Sequence, residues 1–161
     1  MSTNESLDSF DARILEIMHA DARITVTELA SRVGLSKTPC LARLRRLEKA
    51  GYILGYRAVL NTTKLGRDHV AFVEVKLTDT RESALQRFNA EVRKIPEIEQ
   101  CYMIAGHYDY LLSVRSADIN EYRRLLGERI SNLPHVAQTS TYVAMEAVKE
   151  PFEKTEAAQG D

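Results

Sequence analysis

Apolar residues recur at helical spacing over the first third of the chain and predict three short helices. The first begins near Asp8 and ends about residues 19–21, and the second follows Thr25, which can cap it. Gly34 can end the second helix, because glycine adopts the left-handed conformation at little cost. Ser36 can then cap a third helix, whose apolar side carries Cys40, Leu41, Leu44 and Leu47. Two helices joined by a short glycine turn are typical of a helix-turn-helix unit.

The opposite side of the third helix is basic, with Thr38, Ala42, Arg45, Arg46 and Lys49 on it and Arg43 on its flank. From residue 31 to 57 the chain has seven basic residues and one acid, Glu48, so this stretch carries a charge of +6. A solvated basic face is the plain alternative, but the caps, the glycine turn and the local charge together favour binding to double-stranded DNA. The predicted DNA contacts are Ser36, Lys37, Thr38, Arg43, Arg45, Arg46, Lys49 and Arg57.

Within this set the helix N-terminus and the arginines have different expected roles. Ser36, Lys37 and Thr38 lie where recognition helices reach base edges. The arginines are better suited to phosphates, since most protein–DNA contacts go to the backbone.

Residues 52–60 are rich in strand-forming residues around Gly55. They predict a short hairpin, as in the wing of a winged helix, or a linker strand that leaves the domain. Residues 61–63 and Gly66 break the pattern. We therefore expect a helix-turn-helix domain at 7–51, a hairpin or linker at 52–66 and a second domain at 67–149.

The second domain alternates strands and helices. Strands are predicted at residues 69–77, 97–104, 108–115 and 136–148, and helices at 81–95 and 120–133. This β-α-β-β-α-β order is the ferredoxin-like split unit, so the predicted fold class is α+β. With both helices on one face of the sheet, the other face would expose Val73, Val75, Cys101, Met103, Val143 or their alternates. A face so apolar predicts a dimer or higher oligomer formed through the sheet.

Composition sets limits on this picture without deciding it. The chain has 161 residues, of which 44% are hydrophobic and 28% charged, as in an ordinary soluble globular protein. Its net charge of -1 gives no argument for DNA, so the local charge matters more. No apolar run approaches the ~20 residues of a membrane span, and the polar start is unlike a secretory signal. Residues 1–6 are expected to form a flexible tail and residues 150–161 a disordered one.

Chemistry-bearing residues give no sign of an enzyme. Cys40 and Cys101 lie far apart, which excludes a metal-type spacing and fits a reducing cytoplasm. The four histidines share no ligand spacing, and neither a phosphate loop nor a Ser/His/Asp signature is present. We therefore expect no metal and no cofactor. The strands also lack the aromatic pattern of RNA-binding sheets. The remaining alternative is a small-molecule-binding oligomer whose basic helix is incidental.

Five motifs then point to a family: LDSFDARIL at 7–15, ARIT at 22–25, GLSKTPCLARLRRLEKAGYI at 34–53, GHYDYLL at 106–112 and TSTYVAMEAVKE at 139–150. In their order and spacing they resemble the Lrp/AsnC (feast/famine) family of bacterial and archaeal transcription regulators, over about residues 7–150. Within that family the chain is most similar to the leucine-responsive and proline-utilisation regulators of proteobacteria.

The resemblance implies a cytoplasmic, nucleoid-associated regulator whose second domain assembles dimers into octamers and senses an amino acid. The effector would lie between dimers, beside a turn formed by Gly106, His107, Tyr108, Asp109 and Tyr110. Gly106 would expose backbone N–H groups to its carboxylate, and Asp109 would offer a counter-charge to its ammonium.

Further family positions that line or rim the effector pocket correspond to Tyr102, Met103, Ile119, Thr141, Tyr142, Val143 and Ala144. His107 is where ligand preference is expected to diverge. Proline is the first expected effector and leucine the next. A plain hairpin turn remains the alternative for residues 106–110.

Overall fold

The computed structural model describes residues 6–150. The chain divides into two compact units between Ala58 and Val59, inside the segment expected to be a hairpin or linker. Each unit has its own apolar core. The tails predicted at 1–6 and 150–161 lie almost entirely outside the described residues.

The first unit contains three helices: α1 (Ser9–Ala20), α2 (Val26–Val33) and α3 (Lys37–Lys49). Asp8 begins α1 with a capping box, in which its side chain and that of Asp11 each accept from the other's backbone N–H. Thr25 Oγ1 accepts from Glu28 N at 3.2 Å and caps α2 as predicted. Gly34 ends α2 with φ 80°, the left-handed conformation that favours glycine.

One predicted cap is wrong. Ser36 occupies the N-cap position of α3, but its side chain makes no capping hydrogen bond. Burial of Cys40, Leu44 and Leu47 against the other helices therefore holds α3 in place.

The predicted hairpin at residues 52–60 is also wrong, because no strand forms there. This segment is extended and exposed. Strand propensity alone does not make a strand when no neighbouring strand within the unit supplies ladder hydrogen bonds. In the middle of this segment, Tyr56 donates a hydrogen bond to Glu48 Oε1 at 2.8 Å, which holds the segment against the end of α3.

The second unit is an α+β sandwich with the predicted element order. Its strands are β1 (His69–Leu77), β2 (Ile98–Met103), β3 (Tyr110–Ser116) and β4 (Val136–Val143). Helix α4 (Glu82–Val92) lies between β1 and β2, and α5 (Ile119–Leu125) continues as a π-helical turn at Leu126–Ile130. The strands are antiparallel in the order β2-β3-β1-β4, which confirms the ferredoxin-like arrangement.

The structure decides between the two sets of residues that were expected for the open sheet face. Val73 and Val75 are fully buried among the residues that pack with the helices. Cys101 and Met103 pair with Leu112 and Tyr110, so they lie on the same helix-facing side. The alternates therefore form the open face, which carries the apolar and aromatic residues Val70, Phe72, Leu111, Tyr102 and Tyr142 beside charged ones such as Glu74.

Candidate functional site

The exposed side of α3 carries most of the predicted DNA contacts. Lys37, Thr38, Arg45 and Lys49 are exposed, while the helix is anchored through its buried side. Ser36 at the start of α3 and Arg57 beyond its end are exposed as well. The geometry thus presents a row of donors and positive charges on one rigid element, as a groove-facing helix requires.

Two of the predicted DNA contacts also hold the unit together. Arg43 Nη1 lies 2.6 Å from Asp8 Oδ2 and 2.9 Å from Asp11 Oδ1. Arg46 Nη2 donates to the other oxygen of Asp11. Asp11 is only 1% exposed, so it ties α1 to α3 from within the fold. Arg43 and Arg46 therefore form ion pairs within the unit and are not simply solvated cations available to DNA phosphates.

The electrostatic setting keeps Asp11 ionised. Burial acts to raise the pKa of Asp11, but hydrogen bonds from Arg46 and Arg43 outweigh it and hold that pKa below its usual range. The hydrogen bond from the Asp11 backbone is the main cause that lowers the pKa of Asp8, and Arg43 adds to it. The same two carboxylates raise the pKa of Arg43 further above its ordinary value.

The expected effector turn follows β2. Asp109 lies within it, and its backbone N–H donates to Val75 O at 2.9 Å. Its carboxylate accepts from Lys76 Nζ at 3.0 Å and from Leu77 N at 2.8 Å. Both oxygens of Asp109 thus already hold donors from β1. Its expected role as a counter-charge for the ammonium of an amino acid stays a prediction, in which the ligand would share this carboxylate with Lys76 and Leu77.

Other residues of the turn differ in how accessible they are. Gly106 and His107 are exposed, and Tyr108 donates to or accepts from Ser140 at 2.7 Å. Tyr110 is only 1% exposed and stacks on Phe88 with ring centroids 4.4 Å apart. Tyr110 is therefore part of the core within one chain, and its expected contact with the effector stays a prediction.

Gly106 does not need to be glycine for reasons inside the chain. Its φ is outside the left-handed region, and a Cβ placed there would meet no atom within 4 Å. Glycine is thus not required there by the backbone geometry of the chain, and the expected exposure of its N–H to an effector carboxylate stays a prediction.

The remaining predicted effector residues lie at separate places. Tyr102 and Met103 are on β2, at one edge of the sheet, whereas Thr141, Tyr142 and Val143 are on β4, at the other. Ile119 is exposed at the start of α5, and Ala144 follows β4. Within one chain these residues do not surround a common cavity.

Several contacts here could not be read from local sequence. Tyr122 Oη lies 2.5 Å from Thr141 Oγ1, and Tyr142 donates to Glu74 Oε2 at 3.1 Å. The contact of Lys76 with Asp109 likewise joins residues more than 30 positions apart in sequence. The same is true of the contacts that Arg43 of α3 makes with Asp8 and Asp11. The sequence signal that contains Asp8 and Asp11 is the motif LDSFD, which carries the family resemblance but does not show that these acids pair with α3.

Residues 6–150 hold no group of three or more His, Cys, Asp and Glu residues placed to bind a metal ion. The helices of this span are also too short or too polar to cross a membrane.

A helix-turn-helix unit with an exposed basic helix, followed by a ferredoxin-like unit, defines a two-domain DNA-binding regulator. Residues 7–53 match a winged helix-turn-helix DNA-binding family, and residues 70–153 match the Lrp/AsnC ligand binding domain. The chain belongs to the Lrp/AsnC family of transcriptional regulators, which are not enzymes. This confirms the resemblance seen in the motifs.

Named relatives agree with this assignment. The chain is 62% identical to a proline dehydrogenase transcriptional activator of Rhizobium radiobacter, over 91% of this chain and 94% of that protein. It is 47% identical to a leucine-responsive regulatory protein of Salmonella typhimurium, over 91% of this chain and 89% of that protein. A crystal structure of a Neisseria meningitidis transcriptional regulator in complex with L-methionine superposes with a TM-score of 0.84 at 32% identity, covering 90% and 94% of the two chains.

Proposed function

We propose that this protein binds double-stranded operator DNA through α3 and that a small amino acid, bound between copies of the chain, changes its occupancy of that DNA. The observation that carries the proposal is the exposed basic side of α3, held on a buried apolar side. In this proposal the protein works in the bacterial cytoplasm, associated with the nucleoid. Ser36, Lys37 and Thr38 face base edges, and Arg45, Lys49 and Arg57 contact phosphates.

Proline is the first candidate effector and leucine the second. The 62% identity to a proline dehydrogenase transcriptional activator supports proline, and the relatives named leucine-responsive regulatory proteins support leucine. The L-methionine complex of the Neisseria relative supports the wider class of small α-amino acids.

The spacing of the sheet supports an effector site shared between copies. Strands β2 and β4 are separated by two other strands, and three strand spacings amount to about 14 Å. A single small amino acid cannot contact Met103 and Thr141 of the same sheet over that distance. A second copy that brings its β4 edge or its 104–109 turn beside β2 would complete the pocket.

The open sheet face supports a dimer as the first step of assembly. Phe72 is 41% exposed there although it lies in the central strand β1. Together with Val70, Leu111 and Tyr142 it forms an apolar surface that a second sheet would cover. We propose dimers formed through this face, which assemble further into an octamer.

An amino acid can alter DNA occupancy only through a difference in its affinity for two states of the protein. A site between copies provides such a difference, because the ligand stabilises one assembly or one spacing of the α3 helices over another. The proposal therefore predicts that DNA and effector binding are coupled in both directions.

The direct test measures fluorescence anisotropy of labelled DNA taken from upstream of a proline dehydrogenase gene, with a shuffled duplex as control. The titration is repeated with each of the twenty amino acids, and thermal unfolding is followed in parallel. Tighter binding to the upstream DNA than to the shuffled duplex, altered by one amino acid, supports the proposal. Amino-acid binding with no preference between the duplexes would instead support the sensor with an incidental basic helix.

Gly106 offers a sharp test of the effector site. Gly106→Ala adds a methyl group that meets nothing within the chain, so the fold should be unchanged. Gly127→Ala is a matched control, because Gly127 is equally unhindered and has no left-handed φ. Loss of amino-acid binding in the first variant alone would mean that a ligand or a second copy approaches Gly106 closely. Equal binding in both variants would remove Gly106 from the site.

A further inference from the structure

A concave site lies beside the recognition helix, on the side that faces α1. It is a shallow concavity, open to solvent, with a volume of about 370 Å³, and it is lined by Asp8, Pro39, Ala42, Arg43 and Arg46. Two positive charges and one negative charge thus line a volume that is large enough for a phosphate group.

The two acids at this site are held very differently. Asp11 is 1% exposed, and its oxygens accept from Arg43 and Arg46 inside the fold. The Asp8 side chain is 47% exposed. Its Oδ1 accepts from Asp11 N at 2.9 Å, whereas its Oδ2 lies 2.6 Å from Arg43 Nη1. One oxygen of Asp8 thus caps α1, and the other accepts from Arg43.

We propose that this concavity binds a phosphate of the DNA backbone and that the Asp8 carboxylate is an internal anion which DNA displaces from Arg43. The inference rests on the proposed DNA-binding function and adds to it a residue outside the helix-turn-helix that regulates affinity. The oxygen of a phosphate accepts from a guanidinium in the same way as the oxygen of a carboxylate.

Replacing the Asp8 carboxylate at Arg43 with a DNA phosphate should cost little free energy in this geometry. An exposed ion pair such as Asp8 with Arg43 contributes little, so it can be broken readily. Arg43 remains oriented when Asp8 leaves, because Asp11 still accepts from it and its guanidinium carbon stacks 5.4 Å from the centre of the Phe10 ring. Asp11 is thus a positioning residue for both arginines, while Asp8 competes with the ligand.

A competing anion has a recognisable consequence. Asp8 would lower the affinity for every duplex by the same factor, because phosphates carry no sequence information. It would also reduce the number of counterions released on binding, since Arg43 is already neutralised in the free protein. Removing the Asp8 charge should therefore tighten binding and steepen its dependence on salt, with sequence preference unchanged.

Asp8→Asn is the variant that separates these roles. Asparagine caps helices as well as aspartate does, so its side-chain oxygen can still accept from Asp11 N. Its amide nitrogen is a donor and cannot accept from Arg43. Asp21→Asn is the matched control, because it changes the net charge equally and Asp21 accepts from Arg23 N away from the concavity.

In anisotropy titrations of the full chain, Asp8→Asn should bind both the operator and the shuffled duplex about two- to fivefold more tightly per bound protomer. The slope of log K against log salt should steepen by about 0.9 per protomer. Asp21→Asn should match the wild type. The gain should also vanish in the Arg43→Ala background, as a double-mutant cycle would show.

The proposal is overturned if Asp8→Asn behaves like Asp21→Asn, or if its gain survives in the Arg43→Ala background. In either case the proposed function stands as long as the wild type prefers operator DNA. Failure of the wild type to bind any duplex would instead remove both. Thermal unfolding checks that Asp8→Asn is folded, and Asp8→Ser, another good cap without charge, replaces it if that variant is unstable.

Discussion

Lys76 Nζ lies 3.0 Å from Asp109 Oδ1, so an ion pair joins β1 to the turn that precedes β3. The second oxygen of Asp109 accepts from the backbone of Leu77 at 2.8 Å. The family motif that suggested a ligand-binding carboxylate thus places that carboxylate in the sheet, where it fixes the start of β3. Exposed residues of the turn, such as His107, are then presented from a rigid base.

Replacing Asp109 with Ala should destabilise the second unit. The buried N–H of Leu77 would lose its acceptor, which we expect to lower the free energy of unfolding by about 1–3 kcal/mol. Lys76→Met should cost less than about 1 kcal/mol, because the Lys76 side chain is 43% exposed. Urea unfolding followed by circular dichroism measures both. An unchanged stability of Asp109→Ala together with lost amino-acid binding would support a ligand contact at Asp109 and not a structural role.

Sequence patterns were sufficient to predict most helices and strands but not the contacts between them. Helices α1 and α3, strand β1 and the β-α-β-β-α-β order follow from apolar periodicity, because burial of one face decides them. The 52–60 hairpin failed, since its strand formers have no partner strand to pair with in the unit. The open sheet face was left open between two alternate sets, because neighbouring residues of a strand point to opposite faces and only the packing of the helices decides which set is buried.

The candidate site residues also divide into those that helical geometry predicts and those whose contacts depend on tertiary packing. The exposed positions of α3, such as Lys37 and Arg45, follow from helical geometry. The pairing of Arg43 and Arg46 with Asp11 does not, because it depends on how α1 packs on α3, more than 30 positions away in sequence. Tyr110 was carried over from a family motif, and only the packing against Phe88 shows that it is buried.

Asp11→Asn should destabilise the first unit in a pH-dependent way. Because the pKa of Asp11 is lowered in the folded state, its stabilising effect is present above the ordinary Asp pKa of about 4 and is lost as pH falls below it. At pH 7 we expect a loss of about 1–3 kcal/mol in the free energy of unfolding. The difference from the wild type should shrink toward pH 3 in guanidinium unfolding. An equal difference at both pH values would mean that packing, and not charge, is what Asp11 contributes.

Arg45 and Arg46 should respond differently to replacement with Ala. Arg45 is exposed, so Arg45→Ala should leave thermal stability unchanged, weaken binding to all duplexes and reduce the salt slope by about 0.9 per protomer. Arg46→Ala should also lower stability, because Arg46 donates to buried Asp11. Arg87→Ala, at an exposed position of α4, controls for net charge. A salt slope for Arg45→Ala equal to that of Arg87→Ala would exclude a phosphate contact at Arg45.

The two cysteines should resist thiol reagents in the native protein. Cys40 is fully buried, and burial raises its pKa. Burial also raises the pKa of Cys101 to about 11, although Arg93 acts in the opposite direction. Since the thiolate is the reactive form, little of either residue should react near pH 8. The rate at which Cys101 of the native protein reacts should rise about tenfold per pH unit while the pH stays below its pKa. In denaturant, both thiols should react at once. Rapid native labelling at pH 8 would contradict this assignment.

Arg115 donates hydrogen bonds to three separate segments of the second unit. Its Nε donates to Glu99 at 2.9 Å and its Nη2 to Glu150 at 2.8 Å, while Nη1 reaches Thr62 Oγ1 at 3.3 Å. The side chain is only 11% exposed. A guanidinium can serve these partners together because its donors are fixed in one plane, whereas an ammonium presents a single compact charge.

Arg115→Lys should therefore keep the charge but release some of these segments. We expect a loss of about 1–3 kcal/mol in the free energy of unfolding. Amide hydrogen exchange should speed up at residues 61–67 and before residue 150, because their backbone would open more often. Arg129→Lys is the matched control: Arg129 pairs with Glu97 at 3.2 Å and is 43% exposed, so its effect should stay within about 0.5 kcal/mol. Equal exchange in the two variants would show that one positive charge suffices at position 115 and that the planar fork is not what joins the three segments.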